Sequence, residues 1–277
     1  MFNLIHTWHR APRYILAALC CALFFVAPSA AQRETEDTSQ TPQILRIGFG
    51  QERPPFIFKN QIDGLEIELI SAIVKNMKYT VVPSFLPNAR AYNALKNKSI
   101  DIYTIATQNL ADQFYLSDTY MSFDNVLISK GDNPQKILQL EDLRGKRLAA
   151  FQGADFLVKD IADIKDELSL YIETPRQSIQ IQLLYKGRVD FLFSEKKVFE
   201  YNLKQAIASG ELAPLGRGYK IHRVVPPTLY SAAFNDPLLR DEFNAALRRL
   251  KKDGTYTKIM SKYDKDFKLQ NTSEALP

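Results

Sequence analysis

The side chains best suited to chemistry in this sequence are polar and charged groups set at the ends of apolar runs. Arg53 (in Glu52-Arg53-Pro54-Pro55) and Arg90 (in Pro87-Asn88-Ala89-Arg90) each carry a planar guanidinium fork that matches a carboxylate or a phosphate. A lone arginine is equally at home as a surface side chain. Tyr103, Thr104 and Thr107 lie at or just past the end of an apolar run and can donate hydroxyls, with Tyr103 suited equally to a core. Other chemistries are excluded. Cys20, Cys21, Trp8, His6 and His9 all fall in the first 31 residues, so the remainder holds no cysteine, no tryptophan and one histidine, His222. That leaves no thiol nucleophile, no disulfide, no thiolate zinc site and no metal site needing two histidines. No cofactor or resident metal is expected. His222, shortly before Pro226-Pro227, reads as part of a connecting segment rather than as a catalytic base. The sequence has no Gly-x-Ser-x-Gly, no His-Glu-x-x-His and no P-loop, and Gly48-x-Gly50 lacks the third glycine of a dinucleotide fingerprint.

These side chains need elements to hold them, and from residue 44 onward strand-like and helix-like patterns alternate, which argues for an α/β protein with mostly parallel sheet. Strands are predicted at 45–49, 79–85 and 100–106, with a brief extended stretch at 56–58 and helices at 65–77 and 90–96. The alternation starts again with a strand at 147–151, a helix from Gly153 to about 168, and a strand at 170–173. Thr174-Pro175 then reads as N-cap and N1 of a helix that Gly187 closes. A strand at 189–193 and a helix at 196–208 follow. Near the C-terminus Asp236 caps, Pro237 takes N1, and Leu239, Phe243, Leu247 and Leu250 make the buried stripe of a helix ended by Gly254. Two α/β units imply two lobes: the first from 44–124 plus 235–277, the second from 130–227, with hinge segments at 125–129 and 228–234. Two connections suit a molecule that closes around something.

Residues 1–31 read as a secretory signal, with Arg10 and Arg13 before an apolar core at 14–26 and the small residues Ser29-Ala30-Ala31 before Gln32. The apolar run is short for a bilayer span, which needs about 20 residues. Residues 32–43 are a polar linker. Removing residues 1–31 leaves 246 and lowers the charge from +5 to +3, since the segment carries two arginines and no acid. That small excess has no basic stripe behind it, and the Arg248–Lys252 cluster reads as a solvated helix end, so nucleic acid is not an expected partner.

Several stretches, taken in order, resemble the family 3 extracellular solute-binding proteins, the periplasmic receptors of polar amino-acid ABC transporters. They are 45–58 (LRIGFGQERPPFIF), 64–69 (GLEIEL), Ile100-Asp101, 116–120 (LSDTY), 143–153 (LRGKRLAAFQG), 187–190 (GRVD) and 234–263, with Asp253-Gly254-Thr255-Tyr256 inside it. The resemblance implies a type II periplasmic binding fold, two α/β lobes joined by two hinge strands, with the C-terminal helices returning to the first lobe and the ligand cleft between the lobes. It puts Glu195, beside Ser194, where the family's acid meets a ligand α-amino group; capping the helix that begins at Lys196 is the alternative role. It puts Gln152 and Gly153 in the loop whose backbone amides receive the ligand carboxylate. Asp155 departs from that pattern, since an acid there repels an anion unless it turns away. The largest departure is at 107–112 (TQNLAD), where the family's carboxylate-gripping arginine is absent and Leu110 stands near its place. Arg90 or Arg53 could take over.

The function expected is a periplasmic receptor, monomeric, that closes around a small polar solute (an amino acid or related carboxylate) for ABC-type import or for sensing, its partners being transporter membrane subunits or a sensor domain. Two alternatives stay open. One is an enzyme on the same fold, such as a cyclohexadienyl dehydratase, with Glu195 and Glu52 or Asp155 as acid and base. The other is a degenerate homologue that signals without a tight ligand.

Overall fold

In the computed structural model, residues 43–213 and 218–266 are described. The secretory signal expected at 1–31 and all but Gln43 of the linker lie outside the described residues. The chain opens with β1 (Gln43–Phe49), α1 (Leu65–Asn76), β2 (Tyr79–Phe85), α2 (Asn88–Lys96), β3 (Ile102–Ala106), β4 (Tyr115–Leu116) and β5 (Met121–Phe123). It then passes into a second set: β6 (Asn125–Lys130), β7 (Arg147–Phe151), α3 (Ala154–Leu157), α4 (Lys159–Ile164), β8 (Leu170–Thr174), α5 (Ser178–Tyr185), β9 (Phe191–Glu195), α6 (Lys196–Ala208) and β10 (Tyr219–His222). Finally β11 (Thr228–Phe234), α7 (Pro237–Lys252) and α8 (Thr255–Asp266) return to the first set.

Each set builds one sheet. The first has the order β2-β1-β3-β11-β4, with β5 also paired to β11; the second has the order β10-β6-β9-β7-β8. In both, three parallel strands (β2, β1, β3 and β8, β7, β9) form one side and an antiparallel strand completes it, β11 in the first and β6 in the second. Both are therefore mixed, with parallel strands at the ends where α/β crossovers cover them. The strand composition follows these positions. Central β3 (IYTIA) is buried at every residue, whereas β2 carries Pro83, which an edge strand tolerates because one side of its ladder is unpaired.

The residues expected to link the lobes are strands paired inside one sheet. Asn125–Lys130 pairs with β9 and β10, and Thr228–Phe234 pairs with β3, β4 and β5. The chain crosses between sheets just before Asn125 and again between His222 and Thr228. An Asn125–Thr228 side-chain hydrogen bond of 2.8 Å and an Asp124–Arg223 ion pair of 3.1 Å tie the two crossings together.

The C-terminal helices pack on the first set. Asp236 accepts from the Leu238 N–H at 2.9 Å, Pro237 takes the first turn, and Phe243, Ala246, Leu247 and Leu250 are buried against α1 and α8. The i, i+3, i+4, i+7 spacing of those residues places them on one stripe. Two helix expectations are corrected. The helix from Gly153 to 168 is broken into α3, α4 and a 3-10 turn because Val158 is extended (φ −124°, ψ 102°). This β-branched residue and Leu157 before it are both buried by that break. Thr174 is not an N-cap: it pairs with Phe151 as the last residue of β8, and α5 starts only at Ser178 after a Pro175–Gln177 loop.

Candidate functional site

The loop after β1 is anchored before any ligand is considered. Gly64 has φ +133°, and a side chain there would meet the Phe56 carbonyl at 2.1 Å, so only glycine lets α1 begin against this loop. The first N–H groups of α1 then donate into it, Leu65 to the Pro55 carbonyl at 3.0 Å and Glu66 to the Phe56 carbonyl at 3.1 Å. The anchored loop carries Arg53. Its Nη2 donates to Glu66 Oε2 at 2.6 Å, and Thr104 Oγ1 donates to the other carboxylate oxygen at 2.6 Å. The guanidinium lies 4.9 Å from the Phe123 ring centroid, within cation–π reach. Glu66 is fully buried and Arg53 nearly so; Arg53 Nε has no hydrogen-bond partner.

Facing this loop, the second lobe brings the ends of β7 and β8. Two adjoining cavities lie between the lobes. The smaller, about 40 Å³, is lined by Gln51, Glu52, Arg53, Pro87 and Asn88 from the first lobe, and by Phe151, Gln152, Thr174, Pro175 and Gln177 from the second. The larger, about 270 Å³, shares Gln51, Glu52, Arg53, Pro175 and Gln177 and adds Pro54, Gln61, Phe85, Arg176, Ser178 and Asn202. Its size approaches the lower end of small-molecule pockets, about 300 Å³. Contacts between lobes flank the cleft: Asn109 Nδ2 donates to the Phe156 carbonyl at 3.3 Å, and Phe58 meets Tyr201 edge-on at 5.8 Å between centroids. Tyr92 meets Phe156 at 6.2 Å, and Lys197 pairs with Asp264 across α6 and α8.

Of the residues singled out from sequence, Arg53 and Gln152 line this cleft. Two others stand directly behind it: Thr104 holds Glu66, and buried Ser194 donates to Gln177 Oε1 at 3.3 Å. Thr107 pairs with Asn109, itself a contact between lobes. Tyr103 is buried in β3 with an unpartnered hydroxyl, and burial raises its pKa; it lines neither cavity. Arg90 is exposed on α2 and also lines neither. Leu110, near the place of the absent arginine, is buried.

Glu195 takes its alternative role. It is buried at the start of α6, where it accepts from the Val198 N–H at 2.9 Å, and it does not line the cleft. Burial pushes its carboxyl up to about 7, against the lowering effect of that hydrogen bond. The loop at Gly153 is likewise committed. Gly153 N–H donates to Glu173 Oε2 at 2.7 Å and Asp155 N–H donates to Glu173 Oε1 at 3.2 Å, so a carboxylate of the chain itself occupies the amides expected for a ligand. Asp155 turns away onto Lys165 at 2.8 Å, which lowers its pKa. His222 lies 3.0 Å from Ser129 Oγ on β10, with its pKa lowered by burial.

Most of the lining residues missed from sequence sit at or just after the ends of parallel strands: Gln51 after β1, Phe85, Pro87 and Asn88 at and after the end of β2, Phe151 at the end of β7, and Thr174 through Ser178 at and after the end of β8; Gln61 and Asn202 come from a loop and from α6. The rule that ligand crevices form at the carboxyl ends of strands in open α/β sheets points to the strand-end positions. Among the described residues no helix is long and apolar enough to cross a membrane, and no cluster of metal-ligating side chains occurs.

The comparisons with known proteins agree with this architecture. The profile of the bacterial extracellular solute-binding proteins, family 3, matches residues 45–266. The probable amino-acid-binding protein YxeM of Bacillus subtilis (strain 168) is 24% identical over 255 residues, covering 90% of this chain and 92% of its own. The ABC transporter arginine-binding protein 1 of Escherichia coli (strain K12) is 26% identical over 268 residues, covering 91% and 98%. Among solved structures, an ancestral arginine-binding protein bound to arginine superposes with a TM-score of 0.63 at 29% identity, over 79% of this chain and 97% of that one. Two mixed sheets, paired crossings and a cleft at strand ends are the type II periplasmic binding fold, and the chain belongs to the bacterial extracellular solute-binding proteins, family 3.

Proposed function

We propose that the protein is an exported receptor that closes its two lobes, 44–124 plus 235–277 and 130–227, around a small polar solute, an amino acid or related carboxylate, and presents the closed form to a partner for import or sensing. The observation that carries this reading is the cleft: β-strand ends from both lobes line one pair of cavities, and Arg53 is preset in its wall by Glu66. Residues Gln51, Gln152, Gln177 and Asn202 supply amides that donate and accept. Closure withdraws these contacts from water, which strengthens them. The relatives named above as amino-acid-binding or arginine-binding support the ligand class, and the ABC transporter in one of their names supports transporter membrane subunits as partner. Residues 1–31 supply the export signal in this reading, and the protein acts as a monomer.

The receptor reading is preferred to an enzyme on a physical ground. Of the carboxyls that could act as acid and base, Glu195 is tied to a helix start and Asp155 to Lys165, while Glu52 lines the cleft. General acid–base catalysis needs the groups within reach of the bound solute.

A thermal-melt screen with amino acids, small carboxylates and peptides tests the proposal. A ligand at a hundredfold its Kd stabilises by about 2.7 kcal/mol. A midpoint that no compound moves would remove the receptor reading. Native mass spectrometry of the freshly purified protein gives the mass of any solute carried along.

A further inference from the structure

We infer that Glu52 of the first lobe and Arg176 of the second orient a zwitterionic solute across the cleft, its ammonium group against Glu52 and its anionic group against Arg176. The inference rests on the receptor reading above and names the charged contacts of that site. The Arg53 charge is neutralised by Glu66, and its Nε is buried without a partner. Three further carboxyls are used inside the protein: Glu173 by the Gly153 and Asp155 amides and the Tyr171 hydroxyl, Glu195 by the Val198 amide, and Asp155 by Lys165. None of the three lines either cavity. What the lining leaves is one carboxylate, Glu52, in the wall of both cavities, and one guanidinium, Arg176, in the wall of the larger. Among the described residues neither of these side chains forms a hydrogen bond or an ion pair within the protein, with each other included.

Two opposite charges that face one cavity unpaired are matched together by a solute that carries both. An ammonium has three donors and no acceptor, so enclosing it needs acceptors, best a carboxylate; an anion needs donors. The walls are sorted in that sense. Beside Arg176 on the second lobe, Gln177 accepts at its carbonyl from Ser194 at 3.3 Å, which leaves its two N–H donors, and Ser178 adds a hydroxyl. Glu52 comes from the opposite lobe and reaches toward α6: burial raises the Tyr201 pKa, and the Glu52 charge raises it further. Each charge thus belongs to a different lobe, so a solute that meets both ties the lobes together and couples its binding to closure. The order is the reverse of the one expected from sequence, which set the acid, Glu195, on the second lobe and an arginine, Arg53 or Arg90, on the first.

Isothermal titration at neutral pH and low salt tests this with L-glutamate, L-glutamine, L-valine and L-arginine. Each is measured beside its N-acetyl derivative, which lacks the α-ammonium, and its α-carboxamide, which lacks the α-carboxylate. For the amino acid that binds best, each derivative should bind about tenfold more weakly, since each leaves one charge of the wall unmatched. Glu52→Gln should bring the N-acetyl derivative to within about twofold of its parent while the carboxamide stays weak, and Arg176→Gln should do the converse. Both positions are exposed, so both variants should keep the wild-type melting midpoint. A derivative that binds wild type as well as its parent, or a discrimination that survives its own variant, would overturn the inference and leave the receptor reading intact. So would loss of the N-acetyl discrimination in Glu195→Gln, which would return the ammonium to the second lobe. If none of the panel binds, native mass spectrometry decides: a co-purified solute lacking either charge overturns the inference alone, and one bearing both takes the panel's place in the same titrations. No solute at all removes the receptor reading and the inference with it.

Discussion

The two lobes carry the same clasp, on β1 in the first and β7 in the second, and opposite chemistry at the carboxyl ends of those strands. In the first lobe Asp101 accepts from the Arg46 backbone N–H at 2.8 Å and from its Nε and Nη2 at 3.1 and 2.6 Å. In the second lobe Asp190 accepts from the same three groups of Arg147 at 2.9, 3.1 and 2.6 Å. Each aspartate follows a helix that ends in a left-handed residue, Lys98 (φ 61°) or Gly187 (φ 69°), and each leads into a parallel strand beside the first. At the other end of those strands the lobes diverge. The first holds an arginine on a buried glutamate, and the second folds a glutamate onto the backbone amides that open α3. The bases of the strands, away from the cleft, repeat because folding alone constrains them. The cleft ends differ because each lobe presents something different to a ligand.

The largest effect that would test this contrast is at Glu66. Glu66→Leu leaves the Arg53 guanidinium enclosed without its counter-charge and frees the Thr104 hydroxyl. Breaking one side of a buried pair costs about 3–5 kcal/mol. The denaturant midpoint should fall by that amount at constant m-value, and Arg53→Met in the same chain should recover most of it. A loss under about 1 kcal/mol would mean that the pair is not the organising feature of the first lobe.

Glu195 at the end of β9 offers the second-lobe counterpart. Its folded pKa is about 7, above the ordinary 4.5, so between those values the folded protein holds a proton that the unfolded chain has released. The sign is therefore fixed for this group: the Glu195 contribution is fully present below about pH 4.5 and is lost as pH rises to about 7, by up to roughly 3 kcal/mol at 1.36 kcal/mol per unit. Glu195→Gln should flatten that part of the stability–pH curve. A wild-type curve that rises across the same interval, with the variant parallel to it, would show that Glu195 is ionised and solvated in the fold.

The contrast also explains what could be read from sequence. α7 announces itself through Asp236, Pro237 and a regular apolar stripe, because capping and burial are local facts repeated every turn. The GRVD segment 187–190 is visible for the same reason: its glycine and aspartate serve the fold. The committed carboxylates were not. Glu66 looks like any first-turn acid of an amphipathic helix, and its partner Arg53 is 13 residues away across a loop. Glu173 looks like a strand residue, and its partners Gly153 and Asp155 lie on a neighbouring element. For Glu195 the sequence leaves two roles open, a ligand contact or a helix cap. Packing of the lobe buries it and brings the Val198 N–H onto its carboxylate, which the sequence alone does not show.

A smaller effect is expected at Glu173. Glu173→Gln keeps the shape but removes the charge and one of the two acceptor oxygens that receive the Gly153 and Asp155 amides, which costs about 1 kcal/mol from the dipole and capping contributions together. Glu173→Ala should cost more, about 1–2 kcal/mol, since the Tyr171 hydroxyl loses its acceptor as well.

The smallest predicted effect tests the likeness itself. Asp101→Asn and Asp190→Asn each keep the backbone hydrogen bond and weaken the partly exposed pair with arginine, so each should cost about 1 kcal/mol after solvent screening. For Asp190 the Arg147 side-chain hydrogen bonds hold the carboxyl below its ordinary value; for Asp101 burial acts in the raising direction and the Arg46 bonds outweigh it. Both stabilising contributions are present above the ordinary carboxylate range and are lost as pH falls below about 4. The two variants should show matching losses at neutral pH that converge with wild type in acid. Unequal losses would mean that the matching distances conceal different environments, and that the repeat between the lobes is one of geometry alone.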